Sequence, residues 1–258
     1  MFTFGELIVI LVVVGIVAGI VSTAAGLASL VSYPVLLALG LPPVTANVTN
    51  TVGLVFFTSF GAVPASRREL RGHGQELKTL IPLTLVGNIV GAILLFIIPA
   101  ATFAKVVPFF ILIAGILVLI PRHIHIKQPG EIVVTPKWMT ALAWLGIFLV
   151  GAYTGYFGAA GGVLMLSILS FTSAAPFVVY NAQKNLALGL ANIVSAVVYG
   201  LQTPIQWRYV LPLGIGFLIG GSLGPRIVRH LPARLLKIVI GIGALGLAAS
   251  LFKSAYGL

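Results

Sequence analysis

An ammonium stands between two amides at Gln183-Lys184-Asn185, just after Asn181, in a chain that is otherwise strongly apolar. A cation flanked by hydrogen-bond donors is the chemistry of an anion site. Upstream, Gly158-Ala159-Ala160-Gly161-Gly162 interrupts an apolar run. Glycine at membrane depth is tolerated where backbone lines a cavity enclosed by protein. A helix that restarts after such a break points free N–H groups and its positive dipole end into that cavity. Gly158, Gly161, Gly162, Asn181, Gln183, Lys184 and Asn185 are therefore one half of a candidate anion cradle. A second reading keeps Lys184 as a cytoplasmic anchor whose ammonium snorkels to lipid headgroups.

The other half has to come from a twin, because broken hydrophobic segments at corresponding positions mark a transporter's substrate site. Sliding residues 15–40 (GIVAGIVSTAAGLASLVSYPVLLALG) by 136 positions brings Gly15 onto Gly151, Gly19 onto Gly155, Gly26 onto Gly162 and Leu30 onto Leu166. Ser22, Thr23 and Gly26 then sit at the first break, where the hydroxyls hold an anion or cap the restarted helix. The polar cluster recurs as Asn47, Thr49, Asn50 and Thr51, and Pro82 and Gly91 resemble Pro212 and Gly221. The asparagines either line a cavity or hydrogen-bond between helices. Asn88 and Asn192 read as glue between helices, and the Gly87–Gly91 pair as a close-packing motif. Tyr153 and Tyr156 face the cavity or lie near an interface. Two repeats follow, at 1–126 and 127–258.

Elements of membrane length must carry these residues. Of 258 residues, 59% are hydrophobic and 7% charged, and several runs reach the ~20 residues that span a bilayer. Apolar segments fall at about 7–21, 27–40, 44–65, 79–98, 103–121, 138–157, 162–173, 185–203, 208–224 and 235–252. Those at 27–40 and 162–173 are short, so each is expected either to span or to turn back against its predecessor. The loop at 122–137, with Pro129-Gly130, is the expected hinge.

Charge sets orientation and excludes several functions. The formal charge of +11 belongs to cytoplasmic loops of a membrane protein rather than to nucleic-acid binding. If the first two segments of each half form a returning hairpin, the halves are inverted. Twelve of the fifteen basic residues then lie inside, leaving Lys105, Arg208 and Lys253 outside, and both termini are external. With no cysteine, thiol chemistry is absent. Glu6, Glu69, Glu76 and Glu131, and the four histidines, lie at the amino end or in loops. That leaves no buried carboxylate relay, no catalytic pair and no counter-charge for a cationic substrate.

The two glycine-rich breaks, the proline- and leucine-rich segment SYPVLLALGLPP, the polar helix starts and the arginine-containing loop resemble the sulfite exporter TauE/SafE family of membrane permeases. The likeness spans nearly the whole chain. The first break carries Ser22, Ala24, Ala25 and Gly26 where the family pattern has more glycine. The resemblance implies an all-α polytopic protein of the bacterial cytoplasmic membrane that moves sulfur-containing anions, without cofactor or metal. The expectation is a secondary transporter for a sulfur oxyanion or organosulfonate, with sodium or proton coupling and the oligomeric state left open. An anion channel and a permease for another small anionic metabolite are the alternatives.

Overall fold

A computed structural model describes residues 3–57, 67–119, 137–173, 175–228 and 233–257. These residues form an all-helical fold: α1 Phe4–Ala25, α2 Ala28–Ala38, α3 Pro43–Phe57, α4 Arg67–Leu70, α5 Gly74–Ile97, α6 Ala100–Leu119, α7 Lys137–Tyr156, α8 Gly161–Thr172, α9 Phe177–Gln202, α10 Trp207–Val228 and α11 Ala233–Tyr256. The ten expected apolar segments each become a helix. Most of the expected hinge, with Pro129-Gly130, lies outside the described residues, as do Glu131 and three of the histidines.

Among the described residues, four helices are long and apolar enough to cross a membrane, over Phe4–Ser22, Gly74–Ile97, Trp138–Tyr156 and Val178–Gln202. Their outward faces carry apolar stripes at helical spacing, such as Val9, Val13 and Val17 on α1 and Leu142, Leu145 and Leu149 on α7. Such exposure suits lipid, not water. By contrast α2, with 11 residues, and α8, with 12, are about 17 Å long, roughly half of a ~30 Å hydrocarbon core.

Local chemistry sets the ends of these elements. At the start of α1 the Thr3 hydroxyl accepts the Glu6 N–H and the Glu6 carboxylate accepts the Thr3 N–H, a capping box. Both polar clusters lie inside helices rather than before them. Pro43 opens α3, as proline does well at a first helical position, and α9 starts after Pro176 with the apolar turn Phe177–Tyr180. Asn47–Thr51 and Asn181–Asn185 therefore project from helix sides, one to two turns in.

Close backbone packing joins helices that are far apart in sequence. A Cβ at Gly15 or Gly19 of α1 would overlap backbone of Leu213–Gly221 in α10, and one at Gly216 or Gly220 would overlap Val12–Ile16 in return. The same reciprocity holds for Gly87 and Gly91 of α5 against Gly151 and Gly155 of α7. Small residues let membrane helices approach until their backbones touch, which maximises dispersion contact where no hydrophobic driving force exists.

Candidate functional site

Ser22 and Thr23 occupy the last turn of α1, which runs on to Ala25. The Ser22 carbonyl accepts the Gly26 N–H at 2.7 Å. Gly26 ends the helix in the left-handed conformation at φ 68°, where a residue without Cβ is unstrained. The residue before α2 is Leu27, which makes no side-chain cap, so Leu27 and not Ser22 stands at the N-cap position of α2. The Thr23 side chain lies outside the described set. The second break is longer, Phe157–Ala160, with Gly158 at φ 77° and Ala160 at φ 60°. Ala160 is the sole non-glycine with positive φ among the described residues, a strain of order 1 kcal/mol of the kind that gathers at functional sites.

The breaks meet each other. A Cβ on Gly26 would lie 3.2 Å from Gly162 Cα, and one on Gly162 would lie 3.2 Å from Gly26 Cα. Beside this contact is a cavity of about 70 Å³, room for about five waters or one small oxyanion. The first half contributes Ser22, Gly26, Ala28, Ser29, Thr51 and Leu54 to its wall. From the second half come Thr154, Phe157, Gly158, Gly162, Lys184, Asn185, Leu188 and Asn192. Four pairs in that wall stand at matching positions of the two halves. Ser22 matches Gly158 and Gly26 matches Gly162, both 136 apart; Thr51 matches Asn185 and Leu54 matches Leu188, both 134 apart.

Lys184 is 3% exposed. Its Nζ lies 3.5 Å from where a Gly26 Cβ would stand, at the meeting point of the breaks. No carboxylate lies within salt-bridge distance of it among the described residues; the ion pair seen there is His73 with Glu76, at 3.5 Å. The ammonium is thus directed into the protein, not out to lipid headgroups. The first turns of α2 (Ala28, Ser29) and α8 (Gly162) also border the cavity. In those turns the N–H groups of Leu30, Gly161 and Val163 donate back to the Leu27, Gly158 and Ala160 carbonyls, which leaves the N–H groups of Ala28, Ser29 and Gly162 as the ones at the cavity. A buried cation, two helix N-termini, the Thr51, Ser22 and Ser29 hydroxyls and two amides make a donor-rich, cation-bearing pocket suited to a small anion; the Thr154 hydroxyl donates instead to the Gly151 carbonyl at 2.8 Å.

Other residues singled out from sequence serve the wall from behind. Asn50 is 1% exposed; its Nδ2 donates to Ser29 Oγ at 2.9 Å and its Oδ1 accepts from Ser32 Oγ at 2.5 Å. It therefore fixes α2 to α3 instead of facing the cavity. Asn50→Ala removes the partner of the Ser29 hydroxyl and leaves Ser32 with the Ala28 carbonyl alone, at 3.0 Å, so thermal unfolding in detergent is expected to show a loss of about 1–3 kcal/mol. Asn47 donates to the Tyr156 carbonyl at 3.0 Å, and Gln183 donates to the Glu76 carboxylate. Gly161 lets the start of α8 lie against the Thr154 side chain. Asn181 and Gly161 are not in the cavity wall.

Sequence reasoning missed Ser29 and Thr154, and it assigned Asn192 to helix packing. The available signal was spacing: Asn185, Leu188 and Asn192 share one helical face at i, i+3, i+7. Asn88 does act as glue: its side-chain amide lies 2.8 Å from Ser195 Oγ and, oriented to satisfy both its ends, donates to the Ala191 carbonyl of α9 at 2.9 Å.

A family model described as sulfite exporter TauE/SafE matches residues 11–251. A probable membrane transporter protein, ORF9, of a Sinorhizobium species is 28% identical over 95% of this chain and 92% of its own length. A probable membrane transporter protein of Haemophilus influenzae is 27% identical, covering 92% of this chain and 91% of its own. The probable membrane transporter YfcA of Escherichia coli K12 is 24% identical over 96% and 90%. No solved structure matches the chain.

Proposed function

Since the chain belongs to the sulfite exporter TauE/SafE family, membrane transporters rather than enzymes, we propose that it carries a small anion, a sulfur oxyanion or organosulfonate, across the bacterial cytoplasmic membrane. The observation that carries this reading is Lys184, a buried ammonium facing a donor-lined cavity without a carboxylate beside it among the described residues. An anion supplies the missing counter-charge, and the N-termini of α2 and α8 hold its remaining oxygens. Ser22, Gly26, Thr51, Gly158, Gly162, Lys184 and Asn185 form the contact set, with Ser29, Thr154 and Asn192 added. Asn47, Asn50 and Gln183 position it.

In this reading residues 1–126 and 127–258 are inverted repeats, supported by the four matching pairs in the cavity wall and the reciprocal glycine contacts. Both termini are external, and the anion site is exposed to each side in turn. An inside-negative potential drives each anionic charge outward by ~2.3 kcal/mol per 100 mV, so export requires no coupling ion.

The test is thermal stabilisation of purified protein by sulfite, sulfate, thiosulfate, sulfoacetate and taurine, with acetate as the carboxylate control. A sulfur anion at about a hundred times its Kd is expected to add ~2.7 kcal/mol of stability. A flat response across the panel would remove the substrate assignment.

A further inference from the structure

Resting on that transport reading, we infer that the bodies moving during transport are not the two sequence halves but two mixed bundles, α1–α3 with α10 and α5 with α7–α9. Each takes one long helix from the other half. The most extensive helix pairings are α1 with α10, α5 with α7, and α6 with α11, and all three join the first half to the second. In the first two pairs the contact is backbone on backbone at both glycines of each helix. Sliding one sequence half against the other would pull all of these apart at once. Interfaces packed this way are bistable or fixed, not freely deformable.

The seam between the mixed bundles has a different character. It runs through α3 against α9, and the cavity lies in it, with Gly26 and Thr51 on one side and Gly162 and Lys184 on the other. Ring and amide side chains cross it. Tyr33 meets Phe157 edge-on at 5.1 Å between ring centroids, and Asn47 reaches the Tyr156 carbonyl. Gly26 against Gly162 is a backbone approach, located where the ligand would bind. Two buried hydroxyls on the seam elements, Tyr33 of α2 and Thr49 of α3, have no hydrogen-bond partner in this state. Orphaned polar groups of that kind are expected where a second arrangement supplies the partner.

The absence of cysteine makes disulfide trapping clean. Leu188→Cys, in the cavity wall, serves as reporter for a membrane-impermeant maleimide applied to right-side-out and inside-out vesicles. A second pair, Phe56→Cys with Gly214→Cys, joins α3 to α10, since the Phe56 ring lies 2.7 Å from where a Gly214 Cβ would be. This pair crosses the halves but stays within one bundle. The expected result is labelling from both sides, at rates within about twofold before and after oxidation. Labelling from both sides in the reduced form and from one side once the disulfide forms would overturn the bundle assignment while leaving alternating access standing. One-sided labelling in the reduced form would contradict alternating access itself, and the bundle assignment with it. Should the Phe56/Gly214 variant fail to fold, Gly53→Cys with Phe217→Cys, again joining α3 to α10 within one bundle, poses the same question, since the Phe217 ring lies 3.2 Å from where a Gly53 Cβ would be.

Discussion

Lys184→Ala is expected to weaken sulfite binding by 10- to 100-fold while leaving the empty protein as stable as the wild type or slightly more so. The first part follows from the worth of a hydrogen bond to a charged partner, about 1.5–3 kcal/mol, in a site where water does not compete. The second follows from the cost of a buried charge without a carboxylate beside it, which truncation relieves. A structural lysine would behave in the opposite way, since removing it would lower stability and leave binding alone. Lys184→Arg is not expected to rescue. A cavity of about 70 Å³, with the ammonium already against Gly26, has no room for a planar fork. Titration calorimetry with sulfite on the three proteins separates these cases.

The largest effect on stability is expected at Gly91. A Cβ there would overlap the Ala152 carbonyl of α7, which is backbone and cannot rotate away. Gly91→Leu must therefore separate α5 from α7, and with them the Thr84–Gly151 and Asn88–Gly155 contacts. A loss of about 3 kcal/mol or more follows, read as a lowered unfolding temperature in detergent and reduced yield from membranes. Gly243 and Gly246 provide the control, since nothing lies within 4 Å of a Cβ at either. Alanine there should change nothing beyond a small gain in helix propensity. Equal losses at Gly91 and Gly246 would mean that glycine content, not backbone contact, sets stability.

The sequence exposes the element list because hydrophobic length and glycine punctuation are local signals. Gly26, Thr51, Gly162, Lys184 and Asn185, candidates by residue type and spacing, all border one cavity. Local pattern does not say which way a helix side faces. Asn50 and Lys184 each stand one residue before a member of the cavity wall, Thr51 and Asn185, yet Asn50 turns to Ser29 and Ser32 of α2 while Lys184 enters the cavity. Rotation about a helix axis is a product of tertiary packing, and only contacts reveal it. The start of α3, at Pro43, falls one residue from the expected 44, whereas α9 begins well before the expected 185, because Pro176 precedes an apolar turn, Phe177–Tyr180, that belongs to no polar cluster. The Thr3-x-x-Glu6 capping box was legible from sequence and explains one of the four acidic residues. The pairing of α1 with α10 and of α5 with α7 was not legible, because glycine at i and i+4 announces a close neighbour without naming it.

The most direct measurement of the account is counterflow of labelled sulfite in proteoliposomes loaded with excess unlabelled sulfite. Wild-type protein should accumulate label transiently above its external level, and Lys184→Ala should lose that overshoot at the same external concentration. Label that merely equilibrates without overshoot would contradict a carrier and favour a channel, and an overshoot unchanged by Lys184→Ala would contradict the site.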